Sequence, residues 1–228
     1  MIILDHVTKQ YGAGSFALQD SSFSVTDGEF VFIIGPSGAG KTTLLRFIMR
    51  ELLPDTGTIT VDGEVISDPK FKKTEELRKK IGAIFQNFKI IQEKRVIENI
   101  AVSLEIMGIQ NIHEEAMNAL SLVGIADKAL FFPLQLSAGE LQRLAIARAI
   151  AGGRNIILAD EPTGNVDPVT SWEIVKLFKK IHTDNRTILF ATHSADIVNA
   201  LKKRVIVMKQ GKLIKDLKKA GYNLDITP

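Results

Sequence analysis

The chain has 228 residues, enough for one sizeable core or two joined subdomains. Apolar residues make up 45% and charged residues 24%, the proportions of an ordinary soluble globular protein. Twenty-nine basic against 26 acidic residues leave +3, a weak signal for nucleic acid or for anionic lipid. The absence of cysteine excludes disulfides and thiolate zinc sites and fits a reducing compartment.

The N-terminal MIILDHVTKQ reaches Asp5 after three apolar residues, so no secretory segment is expected. No stretch approaches the roughly 18 apolar residues of a spanning helix. Any membrane role is therefore expected to come through a partner. Residues 2–25 and 58–66 read as short strands of an antiparallel flap, with a turn at Asp62-Gly63.

Tyr11, in KQYG, has a ring that could stack on an adenine. The first strong apolar run is FVFII (30–34), followed by GPSGAGKT (35–42) and a helical pattern KTTLLRFIMREL. This strand, loop and helix match the phosphate-loop pattern G-x-x-x-x-G-K-[ST]. Gly35, Gly38 and Gly40 would let backbone N–H groups turn inward and approach phosphate oxygens. Lys41 is placed for the β and γ phosphates, Thr42 for Mg²⁺, and the helix dipole adds to the field.

IGAIF (81–85) predicts a second buried strand, and Gln86 ends it with a neutral amide able to contact metal or water. Residues 93–152 hold no convincing strand. Ala116, Ala119, Leu120 and Val123 follow i, i+3, i+4, i+7 spacing, which predicts a helical subdomain inserted into the core. Within it, QLSAGELQRLAIARAI (135–150) starts like a helix, with Ser137 and Glu140 at capping-box spacing. Such an end either merely caps or binds an anion.

NIILA (155–159) predicts a strand whose end presents the adjacent carboxylates Asp160 and Glu161. Two carboxylates there permit two jobs, one on Mg²⁺ and one polarising an attacking water. PVTSWEIVKLFKKI (168–181) reads as a helix. TILFA (187–191) reads as a strand leading to His193, within reach of a γ-phosphate, and RVIVM (204–208) as the last parallel strand. Strands alternating with helices predict a doubly wound α/β core with a mainly parallel sheet.

In this order, YG (11–12), GPSGAGKT, FQ (85–86), LSAGE (136–140), ILADEP (157–162), NVD (165–167) and TH (192–193) resemble the nucleotide-binding subunit of ATP-binding cassette (ABC) systems. The resemblance covers nearly the whole chain. It implies a P-loop ATPase of 1–228, with 1–87 and 153–228 as nucleotide-binding core and β-subdomain and 88–152 as helical subdomain. ATP and Mg²⁺ are its implied cofactors. Gly35, Pro36, Ser37, Gly38, Ala39, Gly40, Lys41, Thr42 and Thr43 would hold the nucleotide, with Tyr11 and Gln86. Thr42, Gln86 and Asp160 would hold the metal, and Lys41, Gln86, Glu161 and His193 would be catalytic.

LSAGE becomes the signature motif under this resemblance. Ser137, Ala138, Gly139 and Glu140, with Asp167, would then serve the nucleotide of a second copy in a head-to-tail dimer. FQNFKII (85–91), ADEPTGNVDPVTS (159–171) and KLIKDLKKAGY (212–222) resemble the FtsE family of bacterial cell-division ATPases. That resemblance implies an FtsX-like integral membrane subunit, cell-wall hydrolase control and a place on the cytoplasmic face of the inner membrane. ALFFPL (129–134) and 88–100 are candidate partner contacts, the alternative being that they pack the subdomain core.

Lipoprotein-releasing and macrolide-exporting ATPases share ADEPTGN and form the alternative. A soluble ABC ATPase acting on nucleic acid or ribosomes is the competing class, and a nucleotide switch with negligible turnover a third. Two departures stand out. Ala138 occupies a position where glycine is usual, tolerable at negative φ and about 1 kcal/mol unfavourable at positive φ. Ser194 stands where aspartate is common. Ser137 is expected to cap its own helix and to turn outward when a partner's phosphate arrives.

Overall fold

The computed structural model describes residues 1–12, 14–182 and 186–218. It divides into two compact units, Met1–Arg78 with the described residues from Thr187 onward, and Lys79–Arg186. The first unit contains β1 (Ile2–Tyr11), β2 (Ser15–Val25), β3 (Phe30–Ile34), α1 (Lys41–Ile48), β4 (Thr56–Val61) and β5 (Glu64–Val65). Helix α2 (Thr74–Lys80) lies at the boundary. After the second unit the chain returns with β8 (Thr187–Thr192), α7 (Ala195–Leu201), β9 (Arg204–Lys209) and β10 (Lys212–Leu217).

Strands β1, β2, β4 and β5 form the expected antiparallel flap, in the order β2-β1-β4-β5. Strand β4 begins at Thr56, two residues before the expected start. Asp62 and Gly63 both have positive φ, at 50° and 79°, as a two-residue hairpin matching strand twist requires.

In the parallel layer β3 lies between β9 and β8, parallel to both. All positions of β3 and β8 are buried, which explains their unbroken apolar runs. Phe32 and Phe190 pack edge to face with ring centroids 5.4 Å apart, and Phe30 lies 5.1 Å from Phe32.

The antiparallel edge strand β10 has no apolar run to announce it, because KLIKDL carries charge where a strand pattern would alternate. Its anchor is Arg204 on β9, which donates to both oxygens of Asp216 and also to Glu29 and the Ser24 carbonyl. Of the tail segment KLIKDLKKAGY, residues 219–222 lie outside the described residues.

The second unit contains β6 (Ile81–Ile84), α3 (Val96–Met107), α4 (Ile112–Val123), α5 (Ala138–Ile150), β7 (Ile156–Asp160) and α6 (Pro168–His182). Helices α3 and α4 each stop at a left-handed glycine, Gly108 and Gly124. Ala116, Ala119, Leu120 and Val123 are all buried, as their spacing predicts. Helix α5 is buried along most of its length, and β6 packs so closely on it that a Cβ on Gly82 would lie 2.0 Å from the Ala149 carbonyl oxygen.

Candidate active site

The predicted site residues fall in both units. In the first, Ile34 at the end of β3 is in register with Thr192 at the end of β8, so Gly35 and His193 leave neighbouring strands side by side. Between Gly35 and α1 the chain makes the phosphate loop. The glycine requirement here is internal as much as ligand-directed. A Cβ on Gly35 would lie 2.2 Å from the Met208 carbonyl oxygen, and one on Gly40 2.2 Å from that of Ala17. Gly40 also has φ 105°, a conformation that L side chains rarely adopt.

Backbone bonds fix the loop further. The Gly211 N–H, in the β9–β10 turn, donates to the Ala39 carbonyl at 3.1 Å. The Gly211 carbonyl accepts from the Gln19 N–H at 2.8 Å and from the buried Ser21 hydroxyl at 3.2 Å. Strand β2, the loop and the β9–β10 turn are thereby stitched together.

Lys41 is buried, and its Nζ donates to the carbonyls of Gly35 at 2.8 Å and Pro36 at 3.3 Å. The lysine thus folds across its own loop. The N-cap of α1 is Gly40, which supplies no side-chain bond to the first turn. The N-terminal end of this helix, with its dipole, favours negative charge. Pro36, Ser37, Gly38, Thr42 and His193 are exposed, Thr43 is half-buried, and Ala39 packs inside. Tyr11 is exposed at the end of β1, and the Ser194 N–H donates to the Thr192 hydroxyl at 3.1 Å.

In the second unit β6 and β7 are parallel, with Ile84 opposite Ala159. Gln86 and the carboxylates therefore leave the same end of one strand pair. Asp160 is buried and Glu161 half-buried. Glu161 has φ 47°, the left-handed region, where a non-glycine residue is held only by its surroundings. Here the Gly164 N–H closes a turn onto the Glu161 carbonyl at 3.0 Å. Asn165 Nδ2 donates to the Gln86 carbonyl at 2.5 Å, and a Cβ on Gly164 would lie 3.7 Å from Gln86 Nε2.

LSAGE forms the start of α5, and the capping box predicted from Ser137 and Glu140 is present. The Ser137 N–H and hydroxyl both donate to Glu140 Oε2, at 2.8 and 2.9 Å, and the Glu140 N–H donates back to Ser137 Oγ at 3.3 Å. Donation from the Ser137 backbone N–H first, then from its hydroxyl, holds the Glu140 carboxyl below the usual range. Ala138 is the first helical residue and has negative φ, so its methyl is accommodated without backbone strain.

Gly139 faces α6: a Cβ there would lie 2.7 Å from Thr170 Cγ2. Thr170 is oriented by Asp167, which accepts its hydroxyl at 2.5 Å and the N–H groups of Val169 and Thr170 at 3.0 and 3.1 Å. The Thr170 hydroxyl is foremost in pulling the Asp167 carboxyl down. Asp167 therefore caps α6. Its place before Pro168 is a legible helix start, whereas Thr170, Asn165 and Gly211 carry no local signal of their roles.

Flanking α3, the Val96 and Ile97 N–H groups donate to the carbonyls of Phe131 and Ala129 at 2.9 and 3.0 Å. Leu130, Phe131, Phe132 and Leu134 are exposed, not packed in a core. Lys128 lies over the Phe131 ring and Arg95 over that of Phe132.

A family model described as ABC transporter matches residues 18–164. The chain is 44% identical over 227 residues to the cell division ATP-binding protein FtsE of Streptococcus pneumoniae, covering 99% of each. It is 42% identical to FtsE of Bacillus subtilis, covering 97% of this chain and 98% of that one. Among solved structures it is similar to the dimeric post-hydrolysis state of the ATP-binding cassette MJ0796 bound to ADP and Pi. There the TM-score is 0.88 at 33% identity, covering 97% of this chain and all of that one.

Proposed function

The chain belongs to the ABC transporter family as an FtsE-like ABC ATPase, and we propose that two copies close head to tail on ATP and drive a membrane subunit. The observation that carries this is Glu161, held in a left-handed turn directly after buried Asp160 and leaving the same end of the β6–β7 pair as Gln86. A carboxylate carried on a backbone fixed in that way can orient a water for in-line attack.

Phosphoryl transfer asks for positioning and charge stabilisation rather than covalent chemistry. The uncapped N-terminus of α1 and the loop amides bind the phosphates. Lys41 exchanges its bonds to Gly35 and Pro36 for the β and γ oxygens, and His193 contacts the γ-phosphate. Tyr11 stacks on the adenine. The Thr42 hydroxyl, the Gln86 amide oxygen and the Asp160 carboxylate would supply hard oxygens, the donor type that Mg²⁺ takes. That ion, when bound, supplies neutralisation of charge on the phosphates. On closure Ser137 exchanges Glu140 for the partner copy's phosphate, with Ala138, Gly139 and Glu140 presenting backbone N–H groups. Asp167 acts from the adjoining turn.

The membrane subunit is FtsX-like and docks on the helical segment 88–152, where exposed Leu130, Phe131, Phe132 and Leu134 offer an apolar face. Among the described residues no helix is long and apolar enough to cross a membrane. A place on the cytoplasmic face of the inner membrane, and control of cell-wall hydrolases beyond it, would follow from that partner.

Replacing Glu161 with Gln tests the site. Turnover should fall roughly 10²–10³-fold, as loss of one such group typically does, while Mg-ATP should give a stable dimer by light scattering. Wild-type turnover in the variant, or a monomer at saturating Mg-ATP, would refute the proposal.

A further inference from the structure

Arg148 sits near the end of α5, the helix that begins with the signature, and its guanidinium makes no use of a carboxylate among the described residues. Instead its two terminal nitrogens donate to consecutive backbone carbonyls, to Lys89 at 2.6 Å and to Phe88 at 2.9 Å. Burial pulls its pKa down, so the charge is kept in place against desolvation. Phe88 and Lys89 have φ 57° and 52°, two successive non-glycine residues in the left-handed region. A loop in that conformation must be held from outside.

The same loop carries Gln86 two residues earlier, and it is held at a second point by Asn165, from the Glu161 turn. Arg148 is itself braced. Arg154 Nη1 donates to the Arg148 carbonyl at 2.7 Å, and Arg154 Nη2 donates to Ser103 of α3 at 2.6 Å.

We infer that Arg148 is a positioning residue for hydrolysis: its fork fixes the Phe88-Lys89 turn, thereby sets Gln86, and ties that loop to the signature helix. Ala138 and Arg148 are ten residues apart on α5, about 15 Å along one rigid rod. Displacement of the 88–100 segment is therefore delivered to the end that carries Ser137. The planar fork holds both carbonyls at once, whereas an ammonium reaches one at a time. This inference rests on the proposed function.

The test is a double-mutant cycle on steady-state ATPase, with Kd for ATP measured in parallel. Arg148→Met should lower kcat at least about tenfold, in line with the rate cost of a misplaced catalytic group. Its Kd for ATP should stay within about twofold of wild type, and Arg148→Lys should recover part of the rate. In a Gln86→Ala background Arg148→Met should cause no further loss, because Arg148 acts through Gln86. Should Arg148→Met fail to fold, Arg148→Lys replaces it in the same cycle.

Wild-type kcat in the Arg148 variant, or an equal fold-loss with and without Gln86, overturns the inference. Unimpaired turnover in Glu161→Gln would instead bring down the proposed function, so the two failures are distinguishable.

Discussion

Replacing Gly139 with Ala in the signature separates an internal packing constraint from a ligand-directed one. The new Cβ would stand 2.7 Å from Thr170 Cγ2. The threonine cannot simply rotate, because its hydroxyl is bound to Asp167 at 2.5 Å, within the cap of α6. Either the contact stays overpacked, or that bond to a charged acceptor is lost; each costs about 1.5–2 kcal/mol. Alanine in a first helical turn returns about 0.5 kcal/mol over glycine. The net loss of about 1–1.5 kcal/mol should lower Tm by roughly 2–6 °C in a chain of this size.

Adding Thr170→Ser removes Cγ2 and keeps the hydroxyl on Asp167. The double variant should regain wild-type Tm or slightly exceed it. Thermal unfolding of the four members of this cycle is the assay. An unchanged Tm in Gly139→Ala, or a failure of Thr170→Ser to restore it, would refute the packing argument. ATPase on the rescued double variant then reads whether the glycine serves a phosphate as well as the packing.

Two further outcomes follow from the second unit. The Glu140 carboxyl is held below its ordinary value of 4.5 by the Ser137 N–H and then its hydroxyl. Stability from that charge is complete above about pH 4.5 and fades as the pH falls through the lowered value. Glu140→Gln keeps an acceptor for the cap but no charge, so it should melt about 1–3 °C below wild type at pH 7. The gap should close as the pH falls below about 4.5 and through the lowered value, and a gap of constant size would refute the assignment.

Asn99 is fully buried; its Oδ1 accepts from the Ile91 N–H, and its Nδ2 donates to the carbonyls of Ile91, Lys94 and Arg95. Asn99→Ala should destabilise by about 1–3 kcal/mol through groups left unpaired, and hydrogen exchange should quicken at 91–95. Unchanged protection there would refute this reading.

Much of the molecule is legible from local pattern. The five apolar runs are strands because each is buried over most of its length, and burial on both faces removes alternation. GPSGAGKT, the Ser137–Glu140 box and the Asp62-Gly63 turn are local chemistry, dictated by residues a few places apart. What the chain order alone could not decide is which distant groups hold these pieces. Strand β10 is not legible locally, because its pairing depends on Arg204 reaching Asp216 and Glu29, not on any run of apolar residues. The glycines of the phosphate loop read from sequence as clearance for a ligand. The structure shows Gly35 and Gly40 also making room for the carbonyls of Met208 and Ala17.

Nothing near Ala138 in the sequence shows whether its methyl is tolerated; the helical φ decides that. The hydrogen-bonded fork of Arg148 closes over 59 residues of chain, and the contact of Gly139 with Thr170 joins two helices. Sequence by itself determined the five apolar strands, the glycine-rich loop and the cap, because hydrophobic period and turn chemistry act over neighbouring residues. Tertiary structure alone decided register, close approach and the bracing of Gln86, because those depend on backbone groups brought together only when each unit folds.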